Sequence, residues 1–562
     1  MHASSNYSRR ALLKRAGLGA VLPFVGLAQA PRDAAILPAD ASAPGRRLRD
    51  AWLAQAEAAK PRLVETAEPP LGLVRPVADR SQYLRWSMPP DADKTPLSER
   101  LFRKGDSFIL DFGGHRAGHF AFHLAGEGPS VDAPARLQIT FGEVPGDVAE
   151  PLYPYHGQLS SAWLPVEIIT VDFLPQEVRM ARRYAFRYVK VEILDTSPNF
   201  AVRFSQVTAI GLSSATNQPQ PLPSSAPDWL HKVDAVSLRT LHDCMQTTFE
   251  DGPRRDQRLW IGDLRLQARA SYVTYPNHSL VKRCLLLFAA LPRESDGFLP
   301  ACVFEKPAPS TTETFILDYA ALYGAIVLDY ARATRDLATA RALWPVALRQ
   351  MKLLQTFVDA NGLFQIPRNY WAFIDWSQAL DRAASMQGVM LYAYGQLIEL
   401  ARLIGEEIRA REFAEIAGKM RAAARKQYFD PSQGVCVSGP RNQISWASQA
   451  WLTLGGALSP SEAAAALRKA VLENERSVRP ATPYLYHHVV EAMVSCGLRE
   501  EALNLIRSYW GLMMEDGADT FWEAFDPKDS SFSPYGDVHI NSFCHAWSCT
   551  PAWFFRALKL GA

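Results

Sequence analysis

Residues 251–263 combine acidic, basic and aromatic side chains in a pattern that suits acid–base chemistry. The segment reads Asp-Gly-Pro-Arg-Arg-Asp-Gln-Arg-Leu-Trp-Ile-Gly-Asp, with three carboxylates, three arginines and a tryptophan. Gly252, Pro253 and Gly262 argue against a continuous helix, and Asp263 stands where an N-cap would precede an apolar run. The sequence therefore predicts a loop that carries acids to the start of a helix. A solvated, salt-bridged turn is the alternative.

A second acid, Glu523, lies in the aromatic stretch Thr-Phe-Trp-Glu-Ala-Phe at residues 520–525. Aromatic neighbours desolvate a carboxyl group, and desolvation raises its pKa. Aromatic faces also stack on the apolar faces of sugar rings. Two carboxylates in such surroundings suit glycoside hydrolysis, in which one donates a proton to the leaving oxygen and the other acts as base or nucleophile.

Four ordered motifs carry a resemblance to a known family. They are Asp251-Gly-Pro-Arg-Arg-Asp256 ending in Trp260-Ile-Gly-Asp263, Asp375-Trp376, Thr520-Phe-Trp-Glu523, and Cys544-His-Ala-Trp-Ser-Cys-Thr-Pro551. Together they are similar to motifs of the α-L-rhamnosidases of glycoside hydrolase family 78, in the six-hairpin glycosidase superfamily. The resemblance implies an (α/α)6-barrel catalytic domain that acts on a terminal sugar without a cofactor or a metal.

The resemblance also implies roles for individual residues. Asp256 matches the family's general acid, and Glu523 matches its general base. The positions expected to bind or enclose the sugar are Asp251, Arg255, Trp260, Asp263, Asp375, Trp376, Trp522, His545 and Trp547.

The chain departs from the family at the acid. Asp256 stands where the family has Glu, so its carboxyl group is one methylene shorter, about 1.5 Å. Arg254 and Arg255 precede it directly. A neighbouring cation favours an ionised carboxylate, whereas a general acid must hold its proton. We therefore expect at least one arginine to point elsewhere, toward Asp251 or toward an acidic sugar.

Composition narrows the class of protein. A chain of 562 residues with 48% hydrophobic and 21% charged residues is typical of a globular protein of two or more domains. The first thirty residues hold four of its 60 basic residues and none of its 58 acids, so the remainder is nearly neutral. That balance gives no support for a nucleic-acid partner or an anionic membrane surface.

The first thirty residues read as an export signal. Ser8-Arg9-Arg10-Ala-Leu-Leu-Lys14 is a twin-arginine pattern, followed by an apolar run over 16–27 and the triplet Ala28-Gln-Ala30. The apolar run is shorter than the roughly 20 residues of a spanning helix. We expect cleavage after Ala30 and a periplasmic or secreted product without a membrane segment.

The remaining chain divides into three parts. Residues 31–80 are Ala- and Pro-rich, with a short helix predicted around 46–59. Apolar residues alternate with polar ones in residues 81–215, for example over 120–124, 137–141 and 189–193, which predicts an antiparallel β-sandwich that braces the catalytic domain. After a Ser-, Asn-, Gln- and Pro-rich linker, residues 225–562 show helical periodicity.

About 335 residues of amphipathic helices favour an (α/α)6 barrel, so the predicted fold class is multidomain α and β, with a sandwich followed by a barrel. One helix is expected to end at Gly405. The aromatic stripe that includes Tyr319 is expected to belong to the core. The ring-rich segments 369–376 and 482–487 are expected to line a pocket.

The cysteines and histidines give information about the cellular compartment and about metal binding. Seven cysteines cannot all pair, and export in the folded state predicts buried free thiols; their pairing and the oligomeric state stay open. His487 and His488 lack metal-ligand spacing, and we expect one inside the barrel and one outside.

These observations predict an exported, inverting exo-α-L-rhamnosidase or a close relative acting on a related sugar. One alternative is a lyase that uses the same barrel on a rhamnose–uronate linkage, with Arg254 and Arg255 binding the carboxylate. The other is a sugar-binding protein whose catalysis is impaired by the aspartate at position 256.

Overall fold

The computed structural model describes Leu37 and residues 42–561, so the predicted twin-arginine segment lies outside the described residues. The first helix, α1, spans Ala43–Ala58, close to the helix predicted around 46–59. No helix among the described residues has the length and apolarity needed to cross a bilayer.

The N-terminal part is built from short antiparallel strands and the long strand β5. The strands are β1 (Val64–Glu68), β2 (Gly72–Val74), β3 (Val77–Ala78), β4 (Trp86–Ser87), β5 (Ser107–Glu127), β6 (Ala135–Gly142), β7 (Val166–Val171), β8 (Gln176–Arg179), β9 (Tyr184–Asp195) and β10 (Ala201–Ser213). A short helix, α2 (Pro145–Ala149), follows β6. Eight of the strands form one sheet in the order β1-β10-β5-β9-β6-β7, with β2 and β8 also paired to β5.

Alternation along these strands builds the N-terminal core. In β5, Phe120, Phe122 and Leu124 are buried, and alternate residues of β6 and β9 meet them. The period of two sends every second side chain to the same face, so one face becomes a continuous apolar layer. This is the antiparallel β-region that the sequence predicted.

The C-terminal part is helical. Its helices are α3 (Asp228–Cys244), α4 (Ile261–Val273), α5 (His278–Ala290), α6 (Leu317–Thr334), α7 (Leu337–Gln355), α8 (Ala383–Ile404), α9 (Glu407–Tyr428), α10 (Trp446–Leu454), α11 (Pro460–Leu467), α12 (Pro483–Ser495), α13 (Arg499–Ile506), α14 (Leu512–Glu515) and α15 (Pro551–Ala557). Short strands lie in its loops: β11 (Leu259–Trp260), β12 (Cys302–Phe304), β13 (Ser310–Thr311), β14 (Phe429–Asp430) and β15 (Val435–Cys436).

The helices form two layers. The inner ring consists of α4, α6, α8, α10, α12 and the segment that runs through residues 546–549 into α15, and each member packs against the next around the ring. The preceding helices α3, α5, α7, α9, α11 and α13 lie outside. Gly405 ends α8 in the left-handed conformation, as predicted. The predicted fold class is confirmed, while the domain bounds stay a prediction.

Buried ionic contacts join the sheet to the helical layers. The ring of His115 on β5 lies between two carboxylates: Nδ1 is 2.7 Å from Asp243 Oδ2 on α3, and Nε2 is 3.0 Å from Glu143 Oε1 after β6. Burial lowers the pKa of His115, but its hydrogen bonds to the two carboxylates help to hold it well above its ordinary value. The imidazole is therefore a cation that connects the two parts.

The structure corrects two local predictions. His487 and His488 are both fully buried on the inner helix α12, the first against Trp553 and Phe554 and the second against Trp451. Asp263 is not an N-cap, because α4 begins at Ile261. All seven cysteines lie in the described part of the chain as free thiols, and all but Cys496 are buried.

The inner helices α8 and α10 approach each other closely at Gly388. A Cβ atom there would lie 2.5 Å from the carbonyl carbon of Trp451. We expect Gly388→Ala to lower the free energy of unfolding by about 1–3 kcal/mol through overpacking. Gly395, on the same helix, has nothing within 4 Å of that position, so Gly395→Ala should stabilise by about 0.5–1 kcal/mol. Thermal melts of both variants check this, and equal midpoints would contradict the predicted helix contact.

Candidate active site

A cavity opens at the end of the barrel where α4 and α6 begin. Acids, a histidine and aromatic rings share its wall. The lining residues are Asp251, Trp260, Asp263, Ile316, Tyr319, Trp371, Phe373, Trp376, Glu523, His545 and Trp547. Seven of these were predicted site residues: Asp251, Trp260, Asp263, Trp376, Glu523, His545 and Trp547. An acidic pocket with stacking surfaces suits a sugar ring.

His545 lies between two of the acids. Its Nε2 is 3.2 Å from Asp263 Oδ1, and its Nδ1 is 3.9 Å from Glu523 Oε2. Burial lowers the pKa of His545, but the charges of Glu523 and Asp263 outweigh burial and raise it. The backbone fixes this part of the site too, because His545 N donates to Phe521 O and Ala546 N donates to Asp251 O, both at 2.8 Å.

Glu523 is held on both carboxylate oxygens. Arg255 Nη2 donates to Oε2 at 2.6 Å, and Tyr535 Oη donates to Oε1. The Arg255 guanidinium also lies over the Tyr535 ring, 4.4 Å from its centroid. Burial raises the pKa of Glu523, but the charges of Arg255 and His545 and these hydrogen bonds bring it below its ordinary value. Glu523 is therefore ionised and oriented, as a base must be.

The two neighbouring arginines serve different carboxylates. Arg254 binds both oxygens of Asp147 on α2, at 2.6 and 2.9 Å, whereas Arg255 binds Glu523. The expectation that at least one arginine points elsewhere is met, but the partner is not Asp251. Both guanidinium groups therefore form ion pairs with carboxylates of the protein itself.

Asp256 lies at the edge of this group rather than in the cavity wall. It is 7% exposed, and its charge acts on both Asp251 and Arg255. The next residue, Gln257, has a φ of 51°, so the chain turns sharply directly after Asp256. Asp256 is thus beside the cavity on the same loop as Asp251.

Burial shifts the other two acids toward the protonated form. Desolvation and the charge of Asp256 raise the pKa of Asp251 well above its ordinary value. Desolvation also raises the pKa of Asp263, against the opposing effect of His545. Glu523, which is held in its ionised form, therefore shares the cavity with Asp251 and Asp263, which retain protons more readily.

Two predicted sugar contacts are corrected by the structure. Asp375 is fully buried and accepts hydrogen bonds from Thr482 Oγ1 at 2.5 Å and Ala481 N at 2.8 Å. It fixes its loop to the start of α12. The Trp522 ring faces away from the cavity and stacks on Tyr83 at 5.6 Å. Its neighbour Glu523 lines the cavity.

The site also includes residues that the sequence analysis did not name as sugar contacts. Tyr319 was assigned to the core, yet it lines the pocket from the first turn of α6. Trp371 and Phe373 come from a segment expected to line a pocket, and Asp318 fixes that segment by accepting from Phe373 N at 2.7 Å. The other such segment, 482–487, does not reach the wall. Tyr535 was missed, and its only signal was an aromatic residue in a Ser- and Pro-rich turn.

Comparisons with known proteins identify the family. The profile of the glycosyl hydrolase family 78 α-rhamnosidase N-terminal domain matches residues 70–210, and that of the bacterial α-L-rhamnosidase six-hairpin glycosidase domain matches residues 224–558. A rhamnosidase structure from Klebsiella oxytoca with rhamnose bound is 42% identical, with a TM-score of 0.88, over 91% of this chain and 99% of that one. Among curated protein sequences, none matches significantly.

Two more distant structures share the fold. A family 78 rhamnosidase of Bacillus sp. GL1 has a TM-score of 0.70 at 19% identity, over 84% of this chain and 49% of that one. The Streptomyces avermitilis α-L-rhamnosidase complexed with L-rhamnose has a TM-score of 0.60 at 15% identity, over 85% of this chain and 46% of that one. The protein is a glycoside hydrolase with a carbohydrate substrate. It belongs to glycoside hydrolase family 78, the α-L-rhamnosidases.

The pair between Arg255 and Glu523 should be a major contributor to stability, since each side chain is only 3% exposed. We expect Arg255→Gln to lower the free energy of unfolding by about 3–5 kcal/mol at neutral pH, because it leaves a buried charge unpaired. The deficit should shrink as the pH falls, since the stabilisation by an acid of lowered pKa disappears once that acid is protonated.

Denaturant titrations across pH measure this effect. Arg425→Gln is the matched control, because it removes the partner of Glu462 in an exposed pair and should change stability by about 0–1 kcal/mol. Equal losses in the two variants would show that burial of the Arg255 pair is unimportant.

Proposed function

We propose that this hydrolase removes terminal α-L-rhamnose, or a closely related sugar, from glycosides by an exo-acting, inverting mechanism. The observation that carries the proposal is the pocket with acids and tryptophans on its walls. The rhamnose bound in the Klebsiella structure supports the choice of sugar.

In the proposed reaction, Glu523 takes a proton from a water molecule while that water attacks the anomeric carbon. The bond from this carbon to the glycosidic oxygen breaks, and Asp256 gives its proton to the leaving oxygen. Inversion requires the two carboxyl groups to be about 6.5–9.5 Å apart, which leaves room for the water. The ionised state of Glu523, maintained by Arg255 and Tyr535, matches its part as base.

Asp251 is a second candidate for the acid. It lines the cavity, whereas Asp256 lies beside it, and burial raises the pKa of Asp251 well above its ordinary value. The family resemblance favours Asp256, and catalytic groups often approach their substrate only in the complex. Comparing the two aspartates in one assay decides between them.

Neither alternative function gains support from the arginines. Arg254 and Arg255, which a lyase would use to bind a uronate, are paired with Asp147 and Glu523. The orientation of Glu523 by two donors likewise fits a working base better than a binding protein that has lost catalysis.

We also propose that the protein is exported by the twin-arginine route, on the pattern of residues 8–14. The buried free thiols among the described residues are compatible with folding in a reducing cytoplasm before export. Fusion of residues 1–30 to a reporter, with Arg9→Lys and Arg10→Lys as control, tests export directly.

Hydrolysis of an aryl α-L-rhamnoside tests the assigned roles. We expect Glu523→Gln and Asp256→Asn each to lower kcat by about 10²–10⁴, the usual contribution of a general acid or base. Asp256→Glu should retain turnover because it keeps a carboxyl group. Glu462→Gln, on the surface, is the control. Native turnover in both catalytic variants would refute the roles, and a loss confined to Asp251→Asn would transfer the acid to Asp251.

The stereochemical outcome is a separate test. We expect the first sugar released from an α-linked substrate to be the β anomer, because water attacks the face opposite the leaving group. Proton NMR in the first minutes of the reaction, before mutarotation, distinguishes the anomers. Initial release of the α anomer would indicate a covalent, retaining mechanism instead.

A further inference from the structure

Arg254 forms a buried, bidentate ion pair with the N-terminal domain. Arg254 extends from the acidic loop to α2, where Nη1 and Nη2 each donate to one oxygen of Asp147, at 2.6 and 2.9 Å. Nη1 is also 3.4 Å from Glu143 Oε2. The side chains of Arg254 and Asp147 are each 1% exposed, and that of Glu143 is fully buried.

The acceptor site for Arg254 is itself fixed by other contacts. Asp147 accepts from the backbone N–H of Glu143 at 3.0 Å, and Glu143 Oε2 accepts from Phe543 N at 2.8 Å. On its other oxygen Glu143 meets the ring of His115 on β5. The result is a pre-organised pair of carboxylates that belongs to the N-terminal domain and receives a guanidinium group from the catalytic loop.

The segment 538–540 closes the site from the barrel side. His539 O accepts from Arg254 Nη2 at 2.6 Å, and its ring Nδ1 lies 3.7 Å from Asp147 Oδ1. Burial raises the pKa of Asp147, but the charges of Arg254 and His539 bring it well below its ordinary value. Asp147 is therefore ionised across the working pH range, and its negative charge offsets Arg254 throughout that range.

The alternative location for the Arg254 charge is the cavity. Asp251 and Asp256 flank Arg254 and Arg255 on the same loop. A guanidinium group within about 4–6 Å of a carboxyl group favours its ionised form and lowers its pKa by roughly 1–3 units. An acid that must deliver a proton would then be ionised over more of the working pH range.

We propose that Asp147 and Glu143 are positioning residues for catalysis. They draw Arg254 away from the loop acids into the N-terminal domain. The charged groups that still act on Asp251 are Asp256, His545, Asp263 and Arg255, and Arg255 is committed to Glu523. The N-terminal domain thereby sets the protonation range of the acid as well as bracing the barrel. This inference rests on the proposed function in one respect, namely that an acid of the loop donates the proton.

The pH dependence of kcat/KM in the full-length enzyme tests the inference. Asp147→Asn keeps the side-chain shape and removes its charge, which releases Arg254 toward the loop acids. We expect the basic limb of the profile to move to lower pH by about one unit. At neutral pH kcat should fall about tenfold, while KM for an aryl α-L-rhamnoside should change less than about threefold. Glu462→Gln should keep the native profile.

A double variant separates this role from that of a structural clamp. The double variant Asp147→Asn/Arg254→Met also removes the arginine that Asp147→Asn would release, so the basic limb should return to its native position. If the contact were only a structural clamp, Asp147→Asn would lower turnover without moving the basic limb. The double variant would then not recover turnover. Should Asp147→Asn fold poorly, Glu143→Gln replaces it, with a smaller displacement in the same direction because its contact is longer.

Failure of this inference can be distinguished from failure of the proposed function. Absence of native turnover, or full turnover in Asp256→Asn and Asp251→Asn, would remove the proposed roles before any profile is compared. If the native enzyme is active and depends on a loop acid, an unmoved basic limb in both Asp147→Asn and Glu143→Gln would overturn the inference. A limb that stays displaced in the double variant would overturn it as well.

Discussion

The buried ion pair between Arg255 and Glu523 is the interaction on which the rest of the site depends. It joins residues 268 positions apart, from the loop before α4 and the segment after α14. Breaking one partner of such a pair leaves an uncompensated charge in an apolar setting, so the two segments are held in one relative position. Tyr535 and His545 then act on a carboxylate whose place is already fixed.

The neighbouring Arg254 extends the same constraint to the N-terminal domain. Consecutive arginines on a bent loop point in different directions, and each finds a buried carboxylate, Asp147 for one and Glu523 for the other. The loop is thus tied on one side to α2 and on the other to Glu523. The site therefore depends on both domains, although every residue in the cavity wall comes from the helical one.

The sequence predicted most of this centre because its chemistry is concentrated in short motifs. Asp251, Asp263, Glu523 and His545 meet in one cavity as expected. Motif matching could not assign side-chain direction, so Trp522 and Asp375 were placed in the wall although they face into the protein. Hydrophobic periodicity assigned Tyr319 to the buried face of α6, and it could not show that this end of the helix faces the cavity.

Other features depended on long-range packing that no local pattern contains. Tyr535 lies in an irregular turn, and only the fold brings its hydroxyl group to Glu523. Arg254 and Asp147 are 107 residues apart and lie in different domains. The sequence therefore predicted that an arginine would point away from the loop acids, but it could not identify the partner. Both histidines of the 487–488 pair are buried because neighbours of α12 cover two of its faces.

A crystal structure of Glu523→Gln with an intact aryl α-L-rhamnoside tests the central claim most directly, since we expect this variant to bind the substrate without hydrolysing it. The account predicts one sugar ring in the cavity, with the carboxyl group of Asp256 on the side of the glycosidic oxygen and residue 523 on the opposite face. The two catalytic groups should be separated by about 6.5–9.5 Å. A sugar bound outside the cavity, or a carboxyl group of Asp256 too distant to reach the glycosidic oxygen, would contradict it.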